Sequence, residues 1–208
     1  MYTNNTYNAG DDRGSFYVRG FLKVYDPESS NVYYDGPNAI HYENISEAMA
    51  LMLANKSSGF IEKMKFGNGG TSVDPTGVIS YLPANSTGLS ADLYNPTYEK
   101  IVDNTSALNA DPIRNKMDVR HTPGQVYTDI VVSCLLDYGE PAGQEAFDSA
   151  SSTEGRFVFD ELGLWSGGDH NKLLTHVIFH PIQKSLNRLI QIDYTVRIQT
   201  LTNLSTIL

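Results

Sequence analysis

Cysteine is almost missing from this chain. Cys134 is the only one in 208 residues, which excludes an intrachain disulfide. Long apolar runs are missing too, and nothing approaches the roughly 18 residues a membrane-spanning helix needs, so no membrane partner is expected. Basic charge is scarce: 15 Lys and Arg stand against 24 Asp and Glu, a net −9. A field of that sign repels phosphate, so no nucleic-acid partner is expected. The first residues, MYTNNTYNAG, have neither the basic start nor the apolar stretch of a secretory leader. Tyrosine and glycine are plentiful, at 13 and 17. Hydrophobic residues make up 40%, enough for one soluble globular domain of this length.

The charge is uneven. Residues 171–208 carry Lys172, Lys184, Arg188 and Arg197 against Asp193, a net +3, which leaves −12 for residues 1–170. One reading is a basic carboxyl-terminal surface that docks on an acidic patch of a neighbouring copy; the other is chance. Asn4, Asn44, Asn55, Asn85, Asn104 and Asn203 each begin an N-x-[ST] triplet. Without an export signal these are by-products of an Asn-, Ser- and Thr-rich sequence rather than glycan sites.

Reactive constellations are largely missing as well. No GxSxG, no CxxC pair and no calcium-loop spacing occurs. Gly67-Asn68-Gly69-Gly70 is glycine-rich, but Thr71 to Pro75 follow where a phosphate loop needs Gly-Lys-[Ser/Thr] opening a helix. It reads as a turn at a strand end. His176 and His180 have the spacing of a helical metal pair, yet Val177-Ile178-Phe179 between them favours a strand. Strand geometry would hold the two Cα atoms ~13 Å apart, too far for one ion. His170, in a Gly-Gly-Asp-His loop, reads as solvated. No metal and no cofactor is expected. Paired carboxylates occur at Asp11-Asp12 and Asp160-Glu161. The second pair lies inside an apolar stretch, so one member must face inward. It is either a general acid of raised pKa or a buried carboxylate accepting backbone N–H groups at a sharp bend supplied by Gly163. The bend is the preferred reading, with Glu161 and Gly163 as its residues and no catalytic residue assigned.

Along the chain, residues 1–14 form a polar arm without apolar period, in which Tyr2 and Tyr7, with Phe16 and Tyr17 just beyond, are candidate interface anchors. Ser15–Tyr25, ended by Asp26-Pro27, and Asn31–Tyr34, closed by a turn signal at Asp35-Gly36-Pro37, together read as a hairpin. Asn44 or Ser46 can cap a helix over about 45–56, and Ile45, Ala48, Met49, Met52 and Leu53 form its apolar stripe. Strands follow at Phe60–Phe66, Val78–Leu82, Gln125–Asp137, Arg156–Phe159, Lys172–His180 and Ile190–Ile198. Cys134 falls on the apolar face of the third, as a small buried residue. Residues 83–124 hold four prolines and show no clear element, so they read as a long loop. Glu140–Ser152 reads as a loop with a helical turn near Gln144–Phe147. Many strands, one early helix and no strand–helix alternation predict a mainly β fold: an antiparallel β-sandwich or jelly-roll-like domain over 15–208. The tyrosine excess suits protein contacts or a saccharide platform.

Three segments resemble virion structural proteins of tailed bacteriophages: GFLKVYDPESSNVYYDGPNAIHYENISE, FIEKMKFGNGGTSVDPTGVISYL and FVFDELGLWSGGDHNKLLTHVIFHPIQKSLNRLIQIDYTVRIQ. The matching features are Asn38-Ala39-Ile40, the Phe66–Gly70 turn, Glu161-Leu162-Gly163-Leu164-Trp165, Pro181-Ile182-Gln183-Lys184 and the Ile190–Ile198 strand. Residues 84–156 are the least similar. The resemblance implies a neck, collar, tail, baseplate or head-decoration component without catalysis. It would assemble in host cytoplasm through contacts with other copies of itself and other virion proteins, and no small-molecule ligand is expected. A glycan- or receptor-binding module of a host-recognition fibre is the alternative.

Overall fold

The computed structural model describes residues 14–88, 90–142 and 157–202. Tyr2, Tyr7, the Asp11-Asp12 pair and the Gln144–Phe147 turn lie outside the described residues. The elements run β1 (Gly14–Tyr25), β2 (Val32–Ile40), α1 (Tyr42–Leu53), β3 (Ile61–Gly67), β4 (Thr71–Val73), β5 (Ile79–Tyr81), β6 (Pro96–Ile101), β7 (Lys116–Arg120), β8 (Tyr127–Leu136), β9 (Val158–Ser166), β10 (Thr175–Gln183) and β11 (Ile190–Thr202). The fold is mainly β and antiparallel. Nine strands form one sheet in the order β6-β3-β9-β10-β2-β1-β11-β8-β7, and β4 and β5 form a separate hairpin.

The alternation read in residues 190–198 sets the register. Ile190, Ile192, Tyr194 and Val196 are buried, and β11 pairs with β1 on one side and β8 on the other. Leu22 and Val24 of β1 and Val132, Cys134 and Leu136 of β8 fall on the same inner face. Met64, Phe66, Leu162, Leu164, Val177 and Phe179 from the other half of the sheet join them in one core cluster. The sheet is therefore curled, its halves facing each other across shared apolar side chains, as in a sandwich. Its outermost strands, β6 and β7, are consecutive in the chain. A polar contact crosses the gap: Lys100 of β6 donates to the Leu135 carbonyl of β8 (2.6 Å).

The β1–β2 turn lies at Asp26–Ser30, after the Asp26-Pro27 end of the first run, where Asp26 Oδ1 accepts the N–H of Glu28 and Ser29. Three local expectations change. Asp35-Gly36-Pro37 sits inside β2, opposite Lys23, Leu22 and Phe21. β10 meets β2 only at Ala39 and Ile40, so Pro37 lies beyond the two-sided part of the strand, where a missing N–H costs little. The helix starts at Tyr42 and is capped by His41, whose Nδ1 accepts the Asn44 N–H, rather than by Asn44 or Ser46. Asn44 is buried and donates to the Leu173 carbonyl (2.7 Å). The stretch 83–124 holds two strands, β6 and β7, which are short and charged and so leave little apolar period to read.

Candidate functional site

Two regions combine chemistry and shape. The first lies on the outer face of the sheet, on β9. This strand is buried on both sides: Leu162 and Leu164 enter the core, while Trp165 packs with Leu93 and Leu173. The outer cover comes from a strap, residues 82–88 and 90–95, together with the β4–β5 hairpin.

Buried carboxylates tie this cover down. Glu161 is 0% exposed. Its Oε1 accepts the N–H of Gly69 (3.0 Å) and Asn95 (2.8 Å), and its Oε2 accepts the N–H of Tyr94 (2.9 Å). His176 Nε2 lies 3.0 Å from Oε2. The Asn85 N–H donates to His176 Nδ1 (2.8 Å), so Nδ1 is the acceptor and Nε2 carries the proton donated to Glu161. Asp160 accepts the Gly70 N–H (2.9 Å) on Oδ1, and the Thr71 N–H (2.9 Å) and hydroxyl (2.5 Å) on Oδ2. Burial pushes the Glu161 carboxyl up, but the His176 ring and the Asn95, Tyr94 and Gly69 amides outweigh it and hold the group below the ordinary glutamate value. Burial dominates at Asp160 and raises its carboxyl despite Thr71 and Gly70.

The glycine-rich segment and the paired carboxylates, two separate features in the sequence, are one structure. The backbone amides of residues 69–71, which could cradle an anion, are filled by the chain's own Asp160 and Glu161. Every oxygen of the pair has a donor. The arrangement fastens a turn and a strap to a strand and keeps both carboxylates out of solvent.

Glu161 and Gly163 do not mark a bend, because both lie in the continuous strand β9. Gly163 is needed for close approach instead: a Cβ there would meet the Thr175 carbonyl oxygen at 2.3 Å. His170 is buried rather than solvated, with Nδ1 2.5 Å from Ser166 Oγ. His176 and His180 diverge; His176 is buried against Glu161, and the exposed His180 faces Tyr81. Cys134 is fully buried and free, its thiol pushed up to about 12 by desolvation. The basic residues after 170 are all engaged within the chain. Lys172 pairs with Glu47 (2.6 Å), Arg197 with Asp129 (2.7 Å), Lys184 is buried, and Arg188 donates to the Gln183 carbonyl (2.9 Å). Two of the four, Lys172 and Arg197, are thus neutralised by carboxylates of the same chain.

The second region is open. β1 pairs with β11 along its whole length, Gly14 to Tyr25, but with β2 only from Gly20 onward. At that point β2 leaves to pair with β10. The β1 segment 14–19 therefore has one unpaired edge among the described residues. Beside it lies a groove of about 740 Å³, with Phe16–Arg19 on one wall and Tyr42, Ile45 and Met49 of α1 on the other. A narrower cleft of about 190 Å³ continues inward between Val18, Ile45, Met49, Met52, Ile130 and Ile198. Phe16, Tyr42 and Leu53 at the rim are 65%, 69% and 87% exposed. Tyr17 is exposed beside them. Phe16 and Tyr17, two of the anchors read from the sequence, thus stand at this groove. Nothing in the sequence indicated the missing β2 partner that makes it a groove.

No protein-family profile, no curated protein and no solved structure matches this chain.

Proposed function

We propose that this chain is a structural component of a tailed-phage virion, at the neck, collar, tail or baseplate, that works by binding further copies of itself rather than by catalysis. One observation carries the assembly reading: large apolar side chains ring an open groove beside an unpaired strand edge. Isolated exposed apolar residues are ordinary, whereas a contiguous rimmed patch marks a docking surface. Its Phe, Tyr, Met and Arg content matches the composition of interface centres. The placement in a phage particle rests on the segments that resemble virion structural proteins, among them Asn38-Ala39-Ile40 and Glu161–Trp165. Light scattering on the purified chain, followed by electron microscopy of particles carrying it, tests the reading. A discrete oligomer is the expected result, and a strict monomer at every concentration contradicts it. Normal oligomers from a chain lacking residues 1–14 would remove the amino-terminal arm from the mechanism.

Tyr17 and Tyr42, exposed together at the groove, favour a second reading, a glycan- or receptor-binding module. A glycan array answers it directly: no binding at millimolar ligand dismisses it.

A further inference from the structure

The open groove has the shape of a strand-addition site. Residues 14–19 of β1 are extended and paired with β11, so alternate backbone N–H and C=O groups point away from β11 into the groove. Helix α1 forms the opposite wall and supplies apolar side chains. An added extended segment would gain ladder hydrogen bonds from β1 and place alternate side chains against α1. The outer strands of the sheet are poorer targets. β6 carries Pro96, Glu99 and Lys100, and β7 carries Lys116, Asp118 and Arg120, the charges and proline that discourage edge pairing.

We propose that this edge receives residues 203–208 of a second copy, Asn-Leu-Ser-Thr-Ile-Leu. The proposal rests on the homo-oligomeric reading above. The segment continues directly from β11 and is rich in Leu, Thr and Ile, which suit a pleated surface. Its six residues span ~20 Å as a strand, the same length as the six-residue edge. Leu204 and Leu208 share one face and match the apolar cleft. The amino-terminal residues 1–13 hold three Asn, two Asp and one Gly, which suit a strand poorly. The chain's own tail is poorly placed. β11 ends at Thr202 opposite Gly14, on the far side of β1 from the groove. To add to the free edge, the same tail would have to pass the start of β1, a span of ~10 Å that uses about three of its six residues and leaves too few to pair along the edge. A neighbouring copy needs no such passage.

Three chains test this: the full chain, a chain ending at Thr202, and that truncated chain carrying Met49→Lys. A fluorescently labelled peptide of residues 203–208 is the probe. The full chain is expected to scatter as an oligomer and the truncated chain as a monomer with unchanged urea midpoint. The peptide should bind the truncated chain saturably by anisotropy, about ten-fold more weakly after Met49→Lys. Of two peptides carrying Thr206→Pro and Ile207→Pro, one should bind more weakly, because only alternate N–H groups of an added strand reach β1. Leu53→Ser at the exposed rim is a second groove variant, expected to weaken binding with the fold intact. An oligomer that survives truncation, or a peptide that does not saturate at about 1 mM, overturns the tail exchange and leaves the assembly reading standing. A full chain that is monomeric overturns the assembly reading itself. In that case, peptide binding to the truncated chain alone shows that the tail fills its own groove, which overturns the exchange.

Discussion

The two sides of this sheet solve the same problem in opposite ways. On β9 and β10 the outer face is covered by the chain's own strap, and each carboxylate oxygen beneath it has a donor. At β1 and α1 no such cover is found among the described residues, and Phe16, Tyr42 and Leu53 face solvent. The closed side holds the fold through polar groups that cannot be left unpaired once buried. The open side keeps apolar surface and strand edge available. Stability and association are therefore assigned to different residues, and substitutions should separate them.

The largest expected effect is on the closed side. Glu161→Gln replaces one accepting oxygen with an amide that cannot accept, leaving buried N–H groups of the strap unpaired. A loss of about 3 kcal/mol in urea unfolding is expected. A loss below about 1 kcal/mol would break the contrast between the two regions. Gly163→Ala comes next. The new Cβ must displace the Thr175 carbonyl from 2.3 Å, and overpacking of this kind costs about 1–3 kcal/mol, read from the same curves.

The pH dependence sharpens the comparison further. The folded Glu161 carboxyl sits below its unfolded value, so the folded state binds fewer protons there. Its contribution is fully present above the unfolded pKa and is lost as pH falls through the lower folded value. Stability should fall on acidification below about pH 4.5, and the slope should flatten in Glu161→Gln. Asp160 is shifted the other way, so its share runs opposite and becomes a cost as pH rises through its raised folded value. Unfolding curves for Asp160→Asn across that range should therefore show a steeper acid loss than the parent chain.

The smallest stability effect belongs to the open side. Tyr42→Ser and Leu53→Ser should change unfolding by less than about 0.5 kcal/mol, because both side chains are already in solvent. The same variants should reduce oligomer mass in light scattering. Unchanged mass together with unchanged stability would show that this rim does neither job.

Much of the architecture was readable in the residues. The alternation from Ile190 to Ile198 gave β11, the stripe from Ile45 to Leu53 gave α1, and the period of Val132, Cys134 and Leu136 gave β8. Their signals are local: each element has one wet face and one buried face, so side chains alternate with its own period. β9 was read only to Phe159, because burial on both faces erases that alternation. The Asp-Gly-Pro within β2 looked like a turn because turn chemistry is local, while pairing with β1 is not. His41 as a cap and His176 as the partner of Glu161 had no sequence signal at the distances involved.

The sequence by itself determined the class of fold, the helix α1, the burial of Cys134 and the inward carboxylate in Asp160-Glu161. These follow from apolar period and from the cost of exposing or burying a given side chain. Only the tertiary structure decided which amides meet that carboxylate, that the glycine-rich turn is filled by the chain's own acid groups, and that β2 leaves β1 at Gly20 to open the groove. Those outcomes join residues tens of positions apart, and curling of the sheet brings them within hydrogen-bond reach.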